Sequence, residues 1–172
     1  MAGSLVQVST NTLTSASATA SVTGISDNSV YCVTYLNFQG TTDHKYPNAR
    51  FTVGGTAQPQ STYNWAGRKF KTYSSFQNSY GIGQTEMRIA DENIGTATEE
   101  LGHGIMYIYR AYDDSQSTFL SQKNVFRDSG GNLMNIFGGF NYTTNNSVDG
   151  ISFHMESGNI DAGAVFTLYK VV

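Results

Sequence analysis

Gly158-Asn-Ile-Asp-Ala-Gly-Ala-Val-Phe-Thr-Leu-Tyr-Lys-Val-Val172 reads as a glycine-bounded turn feeding an apolar β-strand. The period of two puts Ala164, Phe166 and Leu168 on one face and Val165, Thr167 and Tyr169 on the other. Such a strand has to be paired. Left open, it would present unmatched backbone groups and invite association, so the segment predicts a closing strand of a sheet.

The same signals recur upstream. Leu5–Val8 begins an extended segment, Ala18 to Ile25 alternates up to Gly24, and Val30 to Phe38 follows a turn at Asp27-Asn28. Residues 39–48 form a polar connection, Arg50–Val53 precedes the Gly54-Gly55 turn, and Tyr63–Tyr73 reads as one bent strand or two short ones. Asn78 to Gly104 reads as a long connection with local order, in which Glu86–Ala90 fits a strand edge or a short helix and Thr96–Leu101 one helical turn. Strands return at Ile105–Tyr112, Thr118–Phe126, Asn132–Tyr142 and Val148–Met155. The expected fold is therefore all-β: one domain over 1–172, an antiparallel jelly-roll-like β-sandwich of roughly eight to ten strands. Residues 1–17 are expected to form an extended amino-terminal interaction arm.

Composition narrows the function classes. The apolar fraction of 39% supports a core, whereas charged residues make up only 13%, about half the roughly 25% of ordinary domains. Ser, Thr and Asn supply the polarity instead, with 51 of 172 residues, which suits dense packing beside other proteins. A net charge of −3 with scattered basic residues gives no footprint for direct nucleic-acid binding. Arg68-Lys69-Phe70-Lys71 reads as a solvated strand face. No apolar run is long enough for membrane insertion. Cys32 is the single cysteine, so no intrachain disulfide forms, and its strand-like flanks predict a buried thiol.

No reaction chemistry is spelled out. Asp91, Glu92, Glu99 and Glu100, with His103, form the densest acidic group and are weak calcium candidates, but their spacing matches no calcium-binding loop and a solvated acidic loop is the simpler reading. Adjacent pairs such as Asp113-Asp114 do not supply the opposed carboxylates of glycoside hydrolysis. No nucleophile elbow is present. The expectation is a non-enzymatic protein with no cofactor and no metal.

The order of segments carries a resemblance. Val6-Gln-Val-Ser-Thr-Asn-Thr-Leu13 followed by Ala18–Ile25, then Ile105-Met-Tyr-Ile-Tyr109, and finally Ile151-Ser-Phe153, Ser157-Gly-Asn-Ile-Asp-Ala-Gly163 and Phe166-Thr-Leu-Tyr169, resemble small β-rich virion structural proteins of tailed bacteriophages, marine and cyanobacterial phages in particular. Such look-alikes share a Ser/Thr-rich first strand and a glycine-containing final hairpin ending in Leu-Tyr. The resemblance implies a capsid decoration or cement protein on the outer capsid surface, assembled in the bacterial cytoplasm. Its partners would be the major capsid protein and neighbouring virion proteins, and it would form a homo-oligomer, with a trimer suggested by analogy. Candidate contact residues are Ser9, Thr10, Asn11 and Thr12 in the arm, and Phe137, Phe140, Tyr142, Asn145 and Asn146 in the uncharged run from Ser129 to Val148. The alternative is a tail knob or fibre-associated adhesin recognising a host-surface glycan. In that reading Tyr63, Trp65 and Tyr73 stack on sugar rings and the connections 39–48 and 78–104 carry specificity.

Overall fold

The computed structural model describes residues 3–72 and 76–172. Among the described residues thirteen strands are formed: β1 (Leu5–Thr12), β2 (Thr19–Thr23), β3 (Tyr31–Phe38), β4 (Pro47–Val53), β5 (Thr56–Ala57), β6 (Tyr63–Lys71), β7 (Gln77–Gln84), β8 (Met87–Arg88), β9 (Gly102–Tyr109), β10 (Thr118–Arg127), β11 (Leu133–Tyr142), β12 (Gly150–Met155) and β13 (Val165–Val171). They make two antiparallel sheets in a sandwich-like arrangement. The larger runs β1-β13-β3-β9-β10-β11-β6-β7, and the smaller runs β2-β12-β4-β5 with β8 also paired to β4. Among the described residues no helix is long and apolar enough to cross a membrane.

The carboxyl-terminal strand sits inside the large sheet. β13 pairs with β1 on one side and β3 on the other, so all its backbone groups find ladders. Ala164, Phe166 and Leu168 are fully buried, as the alternation predicts. Phe166 stacks on Phe153 of the opposite sheet at 4.5 Å between centroids, and Phe38 meets both rings edge-on at 5.3 and 5.8 Å. This aromatic cluster ties the two sheets together at the centre of the core.

Three expectations need correction. The expected final hairpin is a crossover between sheets, because β12 belongs to the small sheet and β13 to the large one. The expected long connection from 78 to 104 contains strand β7, which pairs with β6 at the sheet edge. Its remainder makes no helix: Glu86–Ala90 contributes the two-residue β8, and Ala97–Glu100 is a single hydrogen-bonded turn. The edge strand β7 and two very short strands, β5 and β8, bring the number to thirteen, above the expected eight to ten.

The stretch from Ile89 to Leu101 has a packing role. Ala90 and Ile94 cover Phe126, Met134 and Ile136 in a second, smaller core cluster. Gln122 and Asn124 donate to the Ile89 carbonyl at 3.1 and 2.8 Å, fastening this cover to β10. Residues 39–46 lean on the same cover: Gln39 donates to the Gly95 and Ala97 carbonyls, and Lys45 bridges to Ile94.

The segment expected as an arm is ordered over Leu5–Thr12 as the edge strand β1. Ser9 donates to the Thr23 carbonyl and Asn11 to the Ser21 carbonyl, lashing its second half to β2. Its first half, Leu5–Val8, is exposed.

Candidate functional site

A shallow, open depression lies on the outward face of the large sheet, away from the core. In antiparallel strands, directly opposed residues share a face, and register aligns Tyr107, Ser121, Gly139, Ala66 and Tyr80 across β9, β10, β11, β6 and β7. Three small residues between two tyrosines leave a trough. One bank is the parallel row Tyr109, Phe119, Asn141 and Asn64, and Ile82 stands beside Tyr80 at the β7 end. The trough is open to solvent and offers about 560 Å³, within the range of roughly 300–1,000 Å³ of small-ligand sites. Tyr80 and Ile82 are 75% and 78% exposed, and Phe119 and Tyr109 are 47% and 38% exposed, so solvent meets rings and aliphatic carbon rather than backbone.

Polar groups line the trough sparingly. The Tyr109 hydroxyl and Ser121 Oγ are 3.3 Å apart. Asn64 Oδ1 accepts from the Gly83 amide at 2.9 Å, which fixes the bend by which β7 carries Ile82 beside the trough. Trp65 lies beneath: its ring occupies the space a side chain at Gly81 would need, and it packs on Phe140 at 6.2 Å.

No protein-family model matches the chain, and no curated protein matches it in sequence. The chemistry of the residues therefore carries the functional reading.

The glycan-stacking set expected from sequence is not assembled as such. Tyr63 is buried, accepting from the Phe51 amide at 3.0 Å and donating to the Gln58 carbonyl at 2.9 Å, with its phenol pushed above the ordinary range by burial. Trp65 supports the trough from below, and Tyr73 lies outside the described residues. Of the second contact set, Phe137 is exposed on the outer face, whereas Phe140 and Tyr142 point into the core. Asn145 donates to the Ser115 carbonyl at 3.2 Å, and Asn146 reaches the Tyr142 hydroxyl at 3.5 Å. Of the arm set, Ser9, Thr10 and Asn11 bond within the chain, Thr10 to Thr167 at 3.2 Å; Thr12 pairs with Val165.

Three of the four acidic candidates form ion pairs and the fourth accepts from a backbone amide. Asp91 faces Arg88 at 3.6 Å, Glu92 holds Lys69 at 3.0 Å and Lys71 at 3.8 Å, Glu99 pairs with Arg127, and Glu100 caps the Ala97 amide at 3.0 Å. Among the described residues no three His, Cys, Asp or Glu side chains come together to hold a metal ion. Cys32 is buried, and desolvation pushes its thiol up, away from nucleophilic character.

One carboxylate cluster has a clear electrostatic signature. Glu86 accepts from His154 at 2.8 Å and from Arg50 at 2.9 Å, and the His154 hydrogen bond leads in holding its carboxyl below the usual range. It lies on the outward side of the small sheet, where it joins β4 and β12 to the end of β7. This is a structural clamp between the two strands and the β7 end.

Sequence reasoning missed Tyr80, Ile82, Tyr109, Phe119, Asn64 and Asn141. The available signal was the alternation Phe119, Ser121, Lys123, Val125 in β10, whose intervening residues are all buried.

Proposed function

We propose that the chain is a non-enzymatic structural subunit of a phage virion, a decoration or cement protein on the outer capsid surface. Its jelly-roll-like sandwich attaches to the major capsid lattice and to neighbouring copies as a homo-oligomer. The observation that carries an assembly role is the open half of β1. Leu5, Val6 and Val8 are exposed on an edge strand without a single charge or proline, the devices that usually keep edges from pairing. Such an edge suits strand addition by a partner, with main-chain hydrogen bonds giving affinity and the apolar side chains register. The bulge between Gln7 and Ser9 ends the open part, so a docking strand engages only the first few residues. Repeated passage of the chain between the two sheets supports the jelly-roll-like reading, and the segment order that resembles phage virion proteins supports the location.

The test uses particles that lack the protein. Wild-type chain is expected to co-sediment with them, and Leu5→Lys/Val6→Lys is expected to lose binding while melting within about 2 °C of wild type, since both side chains are exposed. Unchanged co-sedimentation of the variant sinks the edge-docking role.

A second reading, a tail knob or fibre-associated adhesin for a host-surface glycan, is favoured by the trough. Exposed rings at Tyr80, Tyr109 and Phe119 around a floor of small residues offer stacking surfaces for pyranose C–H faces. The two surfaces lie at opposite ends of the large sheet, so one chain can use both.

A further inference from the structure

Charge is distributed in this molecule with an unusual asymmetry. All 13 Asp and Glu residues lie in connections, and not one lies in a strand. The outward face of the large sheet therefore carries no carboxylate of its own. Of the ten Lys and Arg residues, seven pair with acidic groups: Arg50, Lys69, Lys71, Arg88, Arg110, Arg127 and Lys170. Among the described residues Lys45, Arg68 and Lys123 have no such partner, and the masked positions hold no acid that would supply one.

Two of these three cations share one row. Register aligns Lys123 of β10, Phe137 of β11 and Arg68 of β6. Lys123 Nζ lies 5.6 Å from the Phe137 ring centroid, which places both on the outward face. The row is the second bank of the trough, two residues along each strand from its floor, a step of about 7 Å. Lys123 and Arg68 are two strand spacings apart, about 10 Å at the backbone, with an exposed aromatic ring between them.

We propose that the trough and this row together bind an acidic oligosaccharide, carboxylated or sulfated. Pyranose rings stack over Ala66 and Gly139 between Tyr80, Tyr109 and Phe119, and the acid group of an adjoining sugar meets Lys123 and Arg68. The proposal rests on the carbohydrate reading of the trough and adds the chemical class of the glycan and its direction. The loop beyond Tyr109 carries exposed Asp114, with Asp113 tied to Arg110 at 3.0 Å. A ligand acid is repelled from that bank and drawn to the opposite one. Nucleic acid fits less well, because two unpaired cations neutralise too few phosphates to hold a backbone at physiological salt. A second copy presenting the same face fits less well too, since it brings cations against cations and no carboxylate to receive them.

The test is isothermal titration of the full-length chain with four probes of matched length: a uronate tetrasaccharide, a sulfated galactan tetrasaccharide, a neutral cello-tetraose and a short oligothymidylate. At least one acidic sugar is expected to bind one site per chain at least tenfold more tightly than cello-tetraose, with affinity falling as salt rises. Arg68→Gln/Lys123→Gln is expected to erase that preference while leaving the melting temperature within about 2 °C, because neither side chain has an acidic partner to lose. Phe119→Ala is expected to weaken acidic and neutral sugars alike. Equal binding of acidic and neutral sugars overturns the acidic specificity and leaves the carbohydrate reading standing. Binding of no sugar overturns both, and so does tighter binding of oligothymidylate at these residues.

Discussion

Replacing Phe166 by alanine interrogates the centre of the sandwich. Phe166 is fully buried on β13, stacked at 4.5 Å on Phe153 of the other sheet and edge-on to Phe38 at 5.3 Å. Truncation of a buried Phe costs about 3–5 kcal/mol. Losing one stacked and one edge-to-face partner, each worth roughly 0.5–1.5 kcal/mol beyond area, places this site in the upper half of that range. For a chain of this length, each kcal/mol moves the melting midpoint by about 2–4 °C. Phe166→Ala should therefore lower Tm by roughly 10–15 °C in calorimetry or circular dichroism. Val165→Ala, on the outward and partly exposed face of the same strand, should cost under about 1 kcal/mol and provides the control. A Phe166→Ala shift below about 4 °C, or equal shifts for the two variants, would refute the inter-sheet packing derived from this strand.

Three further outcomes follow from the same fold. Glu86 is held below its ordinary range, led by His154, and Asp128 is also lowered: burial works against this, but Lys71 at 2.5 Å and the Asn132 and Gly130 donors outweigh it. A depressed folded pKa gives stability that is complete above the unfolded carboxylate range and lost as pH falls, so Tm should hold near neutrality and drop from about pH 4.5 downward. Asp128→Asn should lower the neutral-pH Tm and shrink that acid-side loss; an unchanged pH profile would count against the assignment. Gly81→Val should loosen the β7 edge, because its side chain would enter the space held by the Trp65 ring. A cost of about 1–3 kcal/mol is expected, with faster amide exchange across Gln77–Gln84, and no change in exchange would contradict the packing. Cys32 should resist alkylation in the native protein and react only on unfolding; stoichiometric labelling of folded protein would show the thiol to be accessible.

Legibility from sequence followed how far each signal had to reach. In β12 and β13 the core-facing residues Ile151, Phe153, Met155, Phe166 and Leu168 recur at every second position, so period and face were readable from a few adjacent residues. β7 was not, because Gln77-Asn-Ser-Tyr-Gly-Ile-Gly-Gln84 is an edge strand with most side chains exposed and two glycines, leaving little buried pattern to detect. The crossover between β12 and β13 looked like a hairpin because Gly158 and Gly163 do take left-handed turn conformations. A turn signal says that the chain bends; which sheet receives the next strand is decided by packing. The trough required the register of five strands from distant parts of the chain, and no local window contains it. Its acidic-ligand feature was half legible: the scarcity of Asp and Glu in the strand-like segments is visible in the sequence, but their absence from every strand and the pairing of seven cations, which leaves Arg68 and Lys123 alone beside Phe137, exist only in three dimensions.

The proposed role of the exposed β1 edge in virion assembly is tested most directly by locating the chain in intact particles by cryo-electron microscopy. The account predicts density repeated across the head lattice, with the Leu5–Val8 edge of β1 seated against the major capsid protein or a neighbouring copy. Density confined to the tail, or a lattice-bound copy with that edge facing solvent, would contradict it.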